Sequence, residues 1–187
     1  MSDTFLSMGR RALDDLAAVL KSVSDQGIEG FISAIVGARR IMLHGLGREG
    51  LQMQGLAMRL FHMGLDAHVV GSMTTPPVGQ GDLLIVSAGP GDFATIQALV
   101  NIAQAAGART AVVTAQPTSA LARSADVVLH IPAQTMANDQ AGSGSILPMG
   151  SLYELALMVS FELIVLLLRE RAGETPETMR LRHTNLE

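Results

Sequence analysis

Hydrophobic and polar positions change rhythm once along the chain. Near the amino terminus Phe5, Met8, Leu13, Leu16, Ala17 and Leu20 recur at helical spacing, and QGIEGFISAIVGA predicts a second amphipathic helix. After Arg40 short apolar runs alternate with helical stretches. RIMLHG leads into REGLQMQGLAMRLFHMG and then DAHVVG; DLLIVSAG leads into DFATIQALVNIAQAAG; ARTAVVTAQ leads into TSALARSA; and DVVLHIP closes the series. Strands that alternate with helices need long crossovers, which give a parallel sheet covered on both faces. The pattern predicts a doubly wound α/β domain.

Residues 132–148, PAQTMANDQAGSGSILP, are polar and glycine-rich and predict a loop at the carboxyl edge of the last strand. Ligands of such sheets bind at that edge, which makes the loop a candidate lid or pocket wall. A long apolar helix and a polar tail, RLRHTNLE, fill residues 149–187. The helix carries Glu154 and Glu162 within a span that would need ~20 almost uncharged residues to cross a bilayer, so it is expected to be buried in protein and no membrane association is expected. The first residues lack the basic-then-apolar pattern of an export signal. One core serves ~100–200 residues, so 1–187 is expected to form one domain, with helices over 1–38 and a βα core over 39–131.

Apolar residues make up 48% of the chain and charged residues only 16%, a bias that favours a large subunit interface. The net charge is −4, without a Lys/Arg cluster and with a single tyrosine, which removes the electrostatic footprint and the stacking platforms of nucleic-acid binding. Cysteine is absent, which excludes disulfides and thiolate sites and fits a cytoplasmic location. No pair of histidines has metal spacing with a carboxylate, and no metal is expected.

Chemistry concentrates at two glycine turns. LHGLGREG contains Gly45, Gly47, Arg48 and Glu49 at a strand-to-helix junction, but the next strand ends HVVGS without the acid that dinucleotide binding requires. The second turn, in IVSAGPGDFATI, contains Ser87, Gly89, Gly91 and Asp92. Between them lies a TTP loop with Thr74 and Thr75; after them come GSLYE and the terminal RHTNLE. Taken in order, GLGR, AMRLFHMGL, TTP, GDLLIV, AGAR, GSLYE and RHTNLE resemble the 6-phospho-3-hexuloisomerases of the sugar isomerase (SIS) domain superfamily, from Arg40 to Glu187. The resemblance implies a three-layer, five-stranded parallel sheet flanked by helices, a homodimer or homotetramer, and interconversion of ketohexose phosphates without metal, nucleotide or other cofactor.

That reaction passes through an enediol and needs a base on carbon and a polar group at the oxygens. The resemblance assigns the base to Glu154, which burial at the start of an apolar helix would strengthen; a carboxylate stabilised by the helix dipole is the purely structural alternative. It assigns proton shuttling to His183, from a tail that in relatives reaches a neighbouring subunit's pocket; otherwise His183 is a solvated terminal histidine. Arg48 is a candidate oxyanion ligand at a helix start. Arg59 and His62 share a helix face and are either pocket-lining or structural. Thr74 and Thr75 can supply hydroxyls, and His44 and His130 are expected to be satisfied strand histidines.

The chain departs from the family where phosphate is held. Relatives read G-x-G-R-S-G and then S-G-S-G followed by Thr or Glu-Thr; here Glu49 replaces the first serine, Ala88 and Pro90 replace the next two, and Asp92 and Phe93 follow. Each lost hydrogen bond to a charged ligand costs roughly 1.5–3 kcal/mol. A carboxylate ~4 Å from phosphate adds roughly 4 kcal/mol of repulsion at an effective dielectric of 20, if it points inward. If Glu49 and Asp92 instead cap helices, they stabilise by about 0.3–1 kcal/mol. Three functions follow: the family isomerase, with phosphate held by amides, Arg48, Ser87 or Ser143; an isomerase of a sugar without phosphate; or a non-catalytic sugar-binding module. The intact Glu154 and His183 motifs favour the first two.

Overall fold

The protein is described by a computed structural model over residues 4–139 and 144–186. Two amino-terminal helices open it. Helix α1 (Phe5–Lys21) starts at a capping box in which the Thr4 and Ser7 side chains each accept the other's backbone N–H. Helix α2 (Asp25–Val36) is capped by Ser24.

The alternating part follows as β1 (Ile41–Gly45), α3 (Gly47–His62), β2 (Ala67–Val69), β3 (Leu83–Ser87), α4 (Ala94–Ala105), β4 (Arg109–Thr114), α5 (Ala120–Ser124) and β5 (Val127–His130). All five strands pair in parallel in the order β2-β1-β3-β4-β5. Side-chain alternation divides the core as the doubly wound reading requires. Leu43, Ile85, Val113 and Leu129 face a layer built from α1, α2, α3 and the long α6 (Ser151–Ala172), whereas Met42, Leu84, Val86 and Val112 face α4 and α5. Strand β3 is buried along its whole length, which fits its apolar run Leu83–Val86, and its one polar residue, Ser87, stands at the carboxyl end.

Helix α6 is long and apolar enough to span a bilayer by composition, yet Leu152, Tyr153, Ala156, Leu157, Ile164, Val165 and Leu168 are buried in the core. Its other face leaves Met158, Leu163, Leu166 and Leu167 about half exposed, and α3 likewise leaves Leu51, Met58 and Phe61 bare. Burial of α6 is therefore one-sided within a single chain. A short helix α7 (Pro176–Arg180) has no counterpart in the sequence expectations; Thr175 caps it through a box with Thr178 and Pro176 takes its first turn.

Candidate functional site

The site grows from the sheet order. Strands β1 and β3 are neighbours, with Gly45 paired to Ser87 at their carboxyl ends, while their following helices lie in opposite layers. This is a topological switch point, where the two glycine turns stand side by side. The first turn packs its helix against its strand so closely that a Cβ on Gly50 would come within 2.6 Å of the Gly45 carbonyl oxygen. Gly47 then begins α3, and Arg48 and Glu49 lie in its first turn.

Glu49 points inward. Its Oε2 accepts the Ser87 hydroxyl at 2.6 Å and the Gly89 N–H at 3.0 Å. Burial pushes its carboxyl above the usual carboxylate range, the Ser87 and Gly89 hydrogen bonds oppose this, and the Glu154 charge adds to the rise. The Tyr153 ring covers the same spot: a Cβ at Gly89 would lie 2.6 Å from Tyr153 Cε1, and Tyr153 Oη lies 3.4 Å from Ser87 Oγ. Burial, with the Glu49 charge second, holds that phenol neutral.

Asp92 points away. It accepts the N–H groups of Leu121 at 2.8 Å and Ala120 at 3.4 Å, so it caps α5 and not its own helix α4. Gly91, at φ +109°, makes the turn that aims it there.

Glu154, in the first turn of α6, has a side chain only 12% exposed. Its Oε2 lies 3.0 Å from Arg48 Nε, but no donor among the described residues is aimed at it in hydrogen-bonding geometry. Burial raises its pKa and the Arg48 charge opposes the rise. Arg48 also donates to Ser151 Oγ at 3.1 Å. Arg48, Glu49, Pro90, Tyr153 and Glu154 line a cleft of about 180 Å³. A larger cavity of about 590 Å³ lies at the end of β5, lined by Asp15, His130 and Gln134, and reaches neither glycine turn.

The other predicted residues lie elsewhere. Thr75 donates its hydroxyl to the Val69 carbonyl at 2.7 Å and Thr74 Oγ1 is 3.4 Å from Ser72 Oγ, both beyond the end of β2 and outside the cleft lining. His44 is half-buried, which lowers its pKa against the opposing effect of a backbone hydrogen bond with Val70. Ser143 lies outside the described residues. His183 stacks on His62, ring centroids 5.1 Å apart, and with Arg59, Arg169 and Arg180 the pair lines a second, cationic cavity of about 240 Å³. Arg59 also meets Glu162 at 2.9 Å. Arg182 secures this tail by donating to the His62 carbonyl and to both oxygens of Glu174. Glu154 opens α6 and Arg169 lies near its end, about 22 Å apart at 1.5 Å per residue. One chain thus keeps Glu154 and His183 in separate pockets.

The SIS domain model matches residues 34–159. The chain belongs to the SIS domain family. The matched SIS span includes both turns and Glu154 and stops before His183. The chain is 33% identical over 175 residues to the 3-hexulose-6-phosphate isomerase of Bacillus subtilis, covering 94% of this chain and 95% of that protein. It is 37% identical over 174 residues to the 3-hexulose-6-phosphate isomerase of Mycobacterium gastri, covering 93% and 87% respectively. A Methanococcus jannaschii protein whose crystal structure infers that same molecular function superposes with a TM-score of 0.83 at 22% identity over 95% of this chain and 98% of that one, a likeness of fold.

Several lining residues carry no role in the sequence reading, among them Leu46, Thr135, Met136, Met149 and Tyr153. For Tyr153 the available signal was the chain's single tyrosine standing next to the candidate base.

Proposed function

We propose that this protein is a cytoplasmic sugar-phosphate isomerase that moves the carbonyl of D-arabino-hex-3-ulose 6-phosphate from C3 to C2, giving fructose 6-phosphate. The observation that carries the reading is Glu154: a carboxylate 12% exposed, raised in pKa by burial, with an oxygen that no donor among the described residues is aimed at and a guanidinium beside it. Such a group is a stronger base than a solvated carboxylate. Glu154 takes the proton from C2, the C–H electron pair becomes the C2=C3 double bond, and the carbonyl oxygen gains a proton to complete the enediol. Return of a proton to C3 with loss of the C2 hydroxyl proton gives the 2-ketose. Arg48 stabilises the enediolate oxygen as charge develops there. The chemistry requires neither metal nor nucleotide.

His183 serves this reading only from a second protomer, and the bare apolar faces of α3 and α6 supply a surface for self-association. Mixing singly inactive Glu154→Gln and His183→Asn proteins after dissociation tests this. Recovery of turnover supports a shared site; none, from a mixed oligomer, rules the shared site out, and a His183→Asn protein that alone keeps wild-type turnover removes His183 from the mechanism. A second reading, an isomerase of unphosphorylated sugars, is favoured by one observation, the inward Glu49 carboxylate. Comparing turnover of the phosphorylated and unphosphorylated hexuloses decides between the two.

A further inference from the structure

The turn after β3 has few donors to offer a ligand. The Ala88 N–H is spent on the Val113 carbonyl, Pro90 has none, and the Gly91 N–H is spent on Ala88. At the strand end itself Glu49 takes both the Ser87 hydroxyl and the Gly89 N–H, which leaves the N–H groups of Asp92, Phe93 and the uncapped first turn of α4 further along the chain. A phosphate that draws on Ser87 or Gly89 therefore comes into contact with the Glu49 carboxyl group.

The surroundings decide the form in which they meet. Glu154 and the neutral Tyr153 face Glu49 from α6, and Ser87 and Gly89 face it from the end of β3. Arg48, its neighbour on α3, is directed to Glu154 and Ser151, and Asp92 is turned away to α5. Glu49 is thus half-buried beside a second carboxylate with no cation among the described residues directed at it, and its pKa is already raised before a further anion arrives. Two ionised oxygens at contact repel, whereas a proton held between them makes a short charge-assisted hydrogen bond.

We propose that Glu49 is a specificity-determining residue that meets the substrate's phosphate as a carboxylic acid, so that binding takes up one proton and carboxyl and phosphate share it. The proposal rests on the isomerase reading only in taking a sugar phosphate as the ligand. A sugar with an uncharged end needs no such proton, so pH separates the two ligand classes at this cleft.

The test is calorimetric titration of the full-length protein between pH 5 and 9, in two buffers of different ionisation enthalpy. The ligands are fructose 6-phosphate and sulfate, the latter a dianion throughout. Wild type is expected to take up close to one proton at the alkaline end, with Kd rising about tenfold per pH unit above the Glu49 pKa. Glu49→Gln and Glu49→Ser are expected to bind sulfate with no uptake and a Kd that stays level with pH. Equal proton counts in wild type and both variants, or a pH-independent wild-type Kd, overturn the proposal. Failure of wild type to bind either anion at any pH overturns it too, because the carboxylate then keeps its donors. Proton-linked binding without turnover of the hexulose phosphate would sink the isomerase reading and leave this one standing.

Discussion

Gly89→Ala tests whether the cleft is as tightly built as the geometry says. Gly89 has no positive φ, so alanine brings no backbone strain and only space is at issue. The new Cβ would lie 2.6 Å and 2.7 Å from two Tyr153 ring carbons and 3.0 Å from Glu49 Oε1, where carbon contacts prefer about 3.5–4.0 Å. The ring must retreat by about 1 Å, and it is the residue before Glu154 on α6. Overpacking of this kind costs about 1–3 kcal/mol, which for a chain of this size lowers Tm by about 2–12 °C. A catalytic group displaced by about 1 Å loses on the order of 100-fold in kcat. Differential scanning calorimetry and steady-state kinetics read the two effects, and Gly30→Ala, inside α2 with nothing within 4 Å of its Cβ, is the control expected to stabilise by about 0.5–1 kcal/mol. A Gly89→Ala protein with unchanged Tm and unchanged kcat would refute the packing argument.

Four further outcomes are expected. Because burial raises the Glu154 pKa and a base works deprotonated, kcat/KM should rise with pH through an inflection above the ordinary value of 4.5, and Arg48→Ala, by removing the opposing positive charge, should move that inflection higher still; a pH–rate profile checks both. Arg182 first and Thr178 second hold Glu174 down to about 2, so the ion pair that anchors the tail contributes fully above the normal carboxylate range and is lost as pH falls through about 2. Arg182→Ala should release the tail at neutral pH, visible as loss of the His62–His183 stacking in side-chain NMR.

Most of the fold was legible because its signals are local. Apolar runs ending in glycine, followed by helical periodicity, mark β1 with α3 and β3 with α4, and the alternation dictates a parallel sheet. Helix α7 was legible in principle from Thr175, Pro176 and Thr178, a capping box with proline in the first turn. The directions of the two acids were not. Glu49 turns inward because Ser87 and Gly89, some forty positions later, present donors to it, and Asp92 reaches the start of a helix 28 residues on. These are long-range choices that a helix-start pattern does not contain. The one-sided burial of α6 was hidden as well, since a helix apolar all round does not say which face its own chain covers.

The measurement that bears most directly on the central claim is conversion of D-arabino-hex-3-ulose 6-phosphate to fructose 6-phosphate by wild type and by Glu154→Gln, with circular dichroism to confirm that both are folded. The account predicts wild-type turnover that falls by at least about 100-fold in Glu154→Gln, the range expected when a positioned general base is removed. A folded Glu154→Gln protein that turns over the substrate as fast as wild type would contradict it.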